Sequence, residues 1–560
     1  MRRRLGGLIP GFLRKSDRPP WTTEFMARFE RDIVVPGYLR GVAETGPPIV
    51  FWMPPLRWPQ VFTLELLWAA WLKMAGRQVV FVLCDGVLPY CWYESITGKK
   101  KCEQCHDLNR HVMGIGDFVT FTFSDILPAA VLNDLNTATR DAPYDRLRGA
   151  KEGTYSIGEK SHHDLCYHLR AEPERLTPSM EETYRSMHAS NLISYRIATR
   201  VFERHGPAAV VVFNGNSLNT HAAVDAARTA GTRCFTWEDY GVFRDGFVFS
   251  QDRPANHTYI PESHWIEARD RKLTRRHIRR LQLFQKRWMG GRVTDTVYHP
   301  KPENDRAVLW RDLGLDPHRR TLVAFPNLIW ETSCLGRDLG FSGLIDWLFA
   351  LMEWFAAHEE GRQLVIRIHP AESRALPDRF LTRAGVASRI RERWGESLPE
   401  NIRIVPSGSH VFSYALADAA EAVAVYTSSL GYELALQGRR VWVAGETHFR
   451  GHGFTLDIQD RDHLFRCLDE AKWENRLSRD ELNLARRYVY FRYFRQIVRI
   501  PFLVRDGTEY RRKPHFSHLR FVQPGNDNTV TVLARHILDG SAVVDVPASK
   551  RSELGHFRRR

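Results

Sequence analysis

The chain reads as an α/β protein with two doubly wound halves, and three observations point there. Short apolar runs bounded by polar turns recur at 48–53, 78–84, 208–213, 320–325, 364–366, 422–426 and 441–444. Runs of this kind mark strands buried on both faces, as in a parallel sheet. Helical stretches separate most of them, giving strand–helix–strand alternation. The 560 residues, 43% hydrophobic and 12% aromatic, are enough for two or three domains with large cores. Neither a G-x-G-x-x-G fingerprint nor a P-loop is present, which argues against a dinucleotide enzyme or an NTPase.

Residues 1–45 form a basic lead-in with one predicted helix at 23–33. An N-terminal Rossmann-like domain spans 46–300. Its first βαβ unit runs from Pro48 through a helix stopped by Gly76 to Cys84, with Asp85-Gly86 at the strand end. Residues 87–200 break the alternation and read as a mainly helical insertion. The pattern resumes at 208–213, turns at Asn214-Gly-Asn-Ser217, and reaches a strand at 232–236 that ends in Trp237-Glu-Asp-Tyr-Gly241. Residues 262–292 read as one basic helix, and Gly290-Gly291 opens the boundary. A C-terminal Rossmann-like domain spans 301–480, with Pro326–Glu331 following its first strand. Residues 481–504 belong to a final Tyr- and Arg-rich helix, and 505–560 form a tail expected to be partly disordered. No tandem repeat or low-complexity segment is evident.

In open parallel sheets ligands bind beyond the carboxyl ends of the strands. Three polar segments of the C-terminal half fall there: Arg367-Ile-His-Pro-Ala-Glu372, Tyr426-Thr-Ser-Ser-Leu-Gly-Tyr-Glu433 and Gly445-Glu-Thr-His-Phe-Arg-Gly-His-Gly-Phe454. Thr427, Ser428 and Ser429 precede a helical run closed by Gly438. A helix start offers N–H groups and partial positive charge, which suits a phosphate; plain capping suits the same hydroxyls. With Ser428 as N-cap, Glu433 lies beyond the capping-box position and can accept from ribose hydroxyls. Pro370 holds His369 extended at a strand end, where the imidazole can donate to a phosphate or move a proton. Arg367 shares its face by strand alternation, and the two read as an anion clamp. In the N-terminal half, Asn214 and Asn216 either bind acceptor hydroxyls or make the turn. Glu238 and Asp239 are a candidate general base, or else salt-bridge partners of Arg233 or Arg244.

The segments FPNLIWE at 325–331 and RIHPAE at 367–372, with residues 401–457, together resemble bacterial capsule polysaccharide biosynthesis proteins. These are GT-B glycosyltransferases related to capsular Kdo transferases and, more distantly, to GT-B sialyltransferases. The resemblance covers the second half well and the first half more loosely. It implies two Rossmann-like domains facing across a cleft, with a C-terminal helix crossing back. It implies a metal-independent transferase without cofactor. The sugar would move from a nucleotide-sugar donor, CMP-Kdo-like by preference, to a growing capsule or surface polysaccharide or its lipid acceptor. Arg367, Glu372, Thr427, Ser428, Ser429, Glu433 and Asn327 would bind the nucleotide sugar. Catalysis would fall to Asp239 or Glu238 as base and to His369 at the leaving phosphate, with Asn214 and Asn216 binding the acceptor. The sialyltransferase base motif is a short acidic run ending in Gly, and here Tyr240 is inserted before Gly241. The alternatives are a CDP-polyol phosphotransferase of similar fold and a non-catalytic scaffold of polysaccharide export.

A formal charge of +15 suits anionic partners such as nucleotide sugars or anionic lipid. No zinc finger, RNP signature or base-reading helix favours nucleic acid. Both termini are Arg-rich, and the 262–292 helix carries Arg271, Lys272, Arg275, Arg276, Arg279, Arg280 and Arg287. These charges either form a solvated face or meet an anionic membrane or acidic glycan. No convincing signal peptide or uninterrupted span is readable, so the expectation is a cytoplasmic protein, peripheral on the inner membrane. Cys91, Cys102 and Cys105, with Cys84 nearby, are either a structural zinc set or reduced packing thiols.

Overall fold

The computed structural model describes residues 20–53, 58–91, 102–240, 243, 245–257, 259–289, 305–374, 381–470, 473–505, 512–514, 516 and 518–546. The first lobe is built on β1 Ile49–Trp52, β2 Val79–Leu83, β3 Val119–Thr122, β4 Ala209–Phe213, β5 Arg233–Asp239, β6 Gly246–Gln251 and β13 Val498–Arg499. They lie in the order β13-β6-β5-β4-β1-β2-β3. Strands β3, β2, β1, β4 and β5 are parallel; β6 and β13 run antiparallel to their neighbours. The second lobe is built on β7 Arg320–Phe325, β8 Arg362–Arg367, β9 Ile402–Val405, β10 Ala422–Val425, β11 Val441–Val443 and β12 Thr455–Asp457. Its sheet, ordered β12-β11-β10-β7-β8-β9, is parallel throughout. Each sheet carries a packed core on both faces, so its central strands are apolar on both sides.

Both ends of the chain are built into the first lobe. Phe25, Phe29 and Ile33 of the basic lead-in are buried on one face of its sheet. The tail after residue 505 was expected to be partly disordered; its helix Thr529–Asp539 is capped by Asn528, whose Oδ1 accepts from the N–H groups of Val530 and Thr531. Val530, Leu533, Ala534 and Ile537 fill the same core, against the helix Pro59–Met74. This apolar i, i+3, i+4, i+7 stripe had nothing beside it in the sequence to say what it packs on.

Two other differences have a physical cause. The basic segment forms two helices, Glu262–Asp270 and Arg275–Met289. Trp265, Leu281 and Phe284 pack them on the second lobe, although the sequence placed them in the first. The insertion supplies an edge strand, β3, whose Val-Thr-Phe-Thr sequence is half-exposed and lacks the long apolar run of a central strand. Among the described residues, no helix is long and apolar enough to cross a membrane.

The helix Pro59–Met74 holds β5 in place. Trp68 meets Trp237 edge-on at 5.2 Å between ring centroids, and Trp237 donates its Nε1–H to Glu65 at 2.9 Å. Burial pushes the Glu65 carboxyl up to about 8. A carboxyl raised on folding stabilises while protonated, fully so below its unfolded value and progressively less as pH rises through the folded one. Glu65→Gln keeps the acceptor for Trp237. It is expected to melt close to the wild type at pH 5 and several degrees above it at pH 9, measured by thermal unfolding across that range; parallel curves contradict the assignment.

Candidate active site

The carboxyl edge of the second sheet gathers the predicted segments in the order β10, β7, β8. Ser429 is the N-cap of the helix Leu430–Leu436, one residue later than expected, and its side chain makes no capping bond. Ser428 Oγ accepts instead from Leu430 N–H at 3.3 Å. Ser429 is exposed, and its hydroxyl donates to Glu433 Oε1 at 2.7 Å. The other Glu433 oxygen accepts from the Tyr414 hydroxyl. Glu433 is therefore a buried network member rather than an open ribose acceptor, and desolvation raises it to about 7. Asn327, from the segment after β7, accepts from Thr427 N–H at 3.1 Å and ties the two loops together.

The β8 end departs further from expectation. Arg367 is 1% exposed. Its guanidinium donates to the carbonyls of Ile368, Pro406, Ser409 and Val411. It organises the loop after β9 and does not form an anion clamp with His369. Glu372 Oε1 accepts from Val386 N–H at 3.0 Å and caps the helix Val386–Trp394. A Cβ on Gly385 would sit 2.3 Å from the other Glu372 oxygen, so the carboxylate packs directly on the glycine. His369 Nδ1 accepts from Ala371 N–H at 3.1 Å, which puts the ring proton on Nε2. Burial, with Arg367 nearby, drops its pKa to about 4. At neutral pH His369 is thus a neutral imidazole with its proton on Nε2, not a charged acid.

In the first lobe, β5 runs on through Glu238 and Asp239 because both pair with β6, opposite Val248 and Phe247. Neighbours on a strand point to opposite faces. Asp239 turns toward the helix Pro59–Met74 and accepts from Gln60 Nε2 at 3.0 Å. Glu238 lies on the other face, hydrogen-bonded by the Asn214 side chain, and burial with Asp239 beside it raises its carboxyl to about 7. Among the described residues neither forms a salt bridge with Arg233, which donates to Leu538 O; Arg244 lies outside them. Asn214 adopts the left-handed conformation at φ 64°. Its Oδ1 accepts from Asn216 N–H at 2.7 Å, closing a side-chain turn. Asn216 Nδ2 donates across to Thr332 O of the second lobe at 3.3 Å. Both Asn therefore make the turn, and Asn216 also bridges the lobes. Tyr240, the residue that interrupts the expected motif, packs on Tyr493 at 6.1 Å and lies under the Arg492 guanidinium.

The segment joining the lobes adds further links. His257 meets Thr332 O at 3.1 Å, and the Tyr259 hydroxyl donates to Glu446 Oε1 at 2.5 Å. Arg337 pairs with the same carboxylate at 2.9 Å. Beside them a cavity of about 360 Å³ opens between the lobes, lined by Arg148, His162, His163 and Glu172 on one side and Cys334 and Asp338 on the other. Asp338 accepts from the Tyr426 hydroxyl at 2.5 Å, which joins the cavity wall to the end of β10. Gly336, at φ 68°, lets His163 approach; a Cβ there would lie 2.8 Å from the imidazole. Neither His369 nor Ser428 lines this cavity. Sequence reasoning missed its residues, because 148–172 lies in the helical insertion where no strand end directs attention. The available signal was the unusually long loop, residues 326–343, between β7 and its helix.

Cys84, Cys102 and His106 stand around or next to Gly86. Among the described residues no group of three or more His, Cys, Asp or Glu side chains is placed to hold a metal ion.

Two Rossmann-like lobes, joined through their carboxyl-edge loops and tied by a returning C-terminal segment, define the GT-B architecture. No protein-family model and no curated protein matches the sequence. The chain is similar to solved structures titled Thermosulfurimonas dismutans KpsC, a β-Kdo 2,4 transferase, at 14% identity over 60% of this chain and 88% of that one (TM-score 0.29). It is likewise similar to the β-Kdo 2,7 transferase of KpsC from the same organism, at 16% identity over 52% and 79% (TM-score 0.30). A third is the UDP-GlcNAc 2-epimerase of Neisseria meningitidis, at 11% identity over 79% and 97% (TM-score 0.21). The fold assignment rests on the two sheets themselves.

Arg367→Met separates structural support from anion binding. Removing a buried charged donor from several carbonyls is expected to cost roughly 2–4 kcal/mol. Denaturant unfolding should show that loss, while the folded fraction keeps its nucleotide affinity within about twofold. Unchanged stability with lost nucleotide binding would restore the clamp.

Proposed function

We propose that the chain is a glycosyltransferase that moves a sugar from a nucleotide-sugar donor to a hydroxyl of a growing capsule or surface polysaccharide, or of its lipid acceptor. The observation that carries this reading is Glu238. It sits at the carboxyl end of β5, held by Asn214, and two residues beyond Asn214 the turn reaches across to the second lobe. A carboxyl raised to about 7 is matched to general-base work near neutral pH. Glu238 takes the proton of the acceptor hydroxyl as its oxygen bonds the anomeric carbon and the bond to the leaving phosphate breaks. Asp239 faces the helix at its back and orients the strand.

The nucleotide is proposed to lie along the carboxyl edge of β7, β8 and β10. There His369 Nε2–H and the Ser428 hydroxyl meet the phosphate, with the exposed Ser429, its own proton given to Glu433, and the Thr427 loop beside them. Donors aimed at developing negative charge stabilise the transition state more than the ground state. Arg367, Glu372, Glu433 and Asn327 shape this edge from behind. CMP-Kdo as donor follows from the resemblance alone.

Glu238→Gln is expected to lower kcat/KM by about 10²–10⁴, with Asp239→Asn losing less. Wild-type kcat/KM should rise with pH through an apparent pKa near 7, since the base must lose its proton. Equal activity of Glu238→Gln and wild type removes the assignment. Thermal shift with CMP, CDP, UDP and GDP sorts the donors: one nucleotide at 100 times its Kd should add about 2.7 kcal/mol. His369→Ala and Ser428→Ala should reduce that shift. Turnover of a CDP-polyol would make this a phosphotransferase, and no response to any nucleotide would make it a scaffold.

A further inference from the structure

The helix Arg275–Met289 carries a face that the catalytic reading leaves unused. Residues 271–286 contain seven Lys and Arg and no Asp or Glu. Leu281 and Phe284 are buried against the second lobe, and His277 stacks on Tyr490 at 4.5 Å, which fixes the inward side. At 100° per residue, Arg275, Arg276, Arg279, Arg280 and Lys286 then fall on one outward arc of about 140° with Leu283 near its centre. The four arginines and Lys286 are exposed, and Leu283, a large apolar residue, is 59% exposed among them.

This charge is not answered locally. Arg275, Arg276, Arg279 and Lys286 form no ion pair or hydrogen bond with described residues. Arg280 lies over the Phe494 ring at 4.1 Å. Of the carboxylates on the preceding helix, the two nearest in sequence are engaged elsewhere, Glu267 with Arg271 and Arg495, and Asp270 with Arg269. A solvated basic face gains nothing from an apolar residue at its middle. An anionic bilayer satisfies both parts, because phosphate headgroups meet the arginines and the acyl boundary takes the leucine.

We propose that this face of the helix Arg275–Met289 docks the protein on an anionic lipid surface, with Arg275, Arg276 and Arg279 meeting headgroup phosphates and Leu283 entering the interface. The inference is independent of the transferase reading. Co-sedimentation of the full chain with vesicles tests it, comparing phosphatidylcholine alone with phosphatidylcholine containing roughly one third phosphatidylglycerol. Binding is expected only to the anionic vesicles, falling at least about tenfold between low salt and roughly 0.5 M NaCl. Arg275→Glu/Arg276→Glu/Arg279→Glu should abolish it, and the milder Arg275→Gln/Arg276→Gln/Arg279→Gln should weaken it about tenfold or more. Leu283→Asp should weaken binding with all arginines in place, which separates a bilayer from any soluble polyanion. An unchanged melting temperature verifies each variant's fold. Binding by the triple variants equal to wild type overturns the proposal, as the basic termini would then carry it. So does wild type that ignores anionic vesicles yet retains heparin or single-stranded DNA.

Discussion

The two lobes depend on how one buried cation is solvated. Arg492 is 1% exposed and sits where the C-terminal helix leaves the second lobe. Its guanidinium lies 5.4 Å from the Tyr240 ring. It donates to Gln496 Oε1 at 2.8 Å, and Gln496 in turn donates to Tyr259 O at 2.9 Å. Tyr432 and Tyr493 share a hydroxyl contact of 2.5 Å beside it. A buried charge costs several kcal/mol unless polar groups or aromatic faces replace its water. Here those groups come from both lobes: Tyr240 from the end of β5, Tyr432 from the helix after β10, and Tyr493 and Gln496 from the crossing segment. Contacts from both lobes thus converge around the one charge. The same segment then adds β13 to the first sheet beside β6, so the strand pair bearing Glu238 is held in register with the second lobe.

This arrangement brings strand-end loops from distant parts of the chain together between the lobes. The second sheet presents its loops upward from β10, β7 and β8, locked to each other by the Asn327–Thr427 bond. The first sheet presents Asn214 and Glu238 from adjacent strands β4 and β5. Thr332 closes the gap, accepting from Asn216 and meeting His257. Polar groups that looked like ligand contacts often turn out to build these loops. Buried polar groups need partners, and a loop shaped around a ligand must satisfy its own backbone first. Arg367 and Glu372 do that work, leaving His369, Ser428 and Ser429 nearer the surface.

Legibility in the sequence followed the same division. Apolar runs such as Val-Val-Phe-Val-Leu at 79–83 announce central strands, since nothing else buries both faces of so short a segment. Strand-end position then directed attention to His369, Ser428 and Glu238. Side-chain partners were not readable, because they come from far along the chain. Tyr414 on Glu433, the carbonyls of 406–411 on Arg367 and Val386 on Glu372 are contacts that periodicity does not encode. The tail helix Thr529–Asp539 was obscured for a related reason: its apolar stripe completes a core whose other members come from residues 25–118, 209–249 and 498–522. The interlobe cavity at Arg148 and Asp338 arises only when both lobes are assembled.

The claim on which everything else turns is that a nucleotide lies on the carboxyl edge of the second sheet, opposite Glu238. A photoreactive azido-pyrimidine nucleotide, crosslinked to the protein and mapped by peptide mass spectrometry, tests it directly. Labelling confined to residues 326–332, 369–374 and 427–433, and suppressed by unmodified nucleotide, is the result the account predicts. Specific labelling that falls only in the first lobe, or no competable labelling at all, would contradict it.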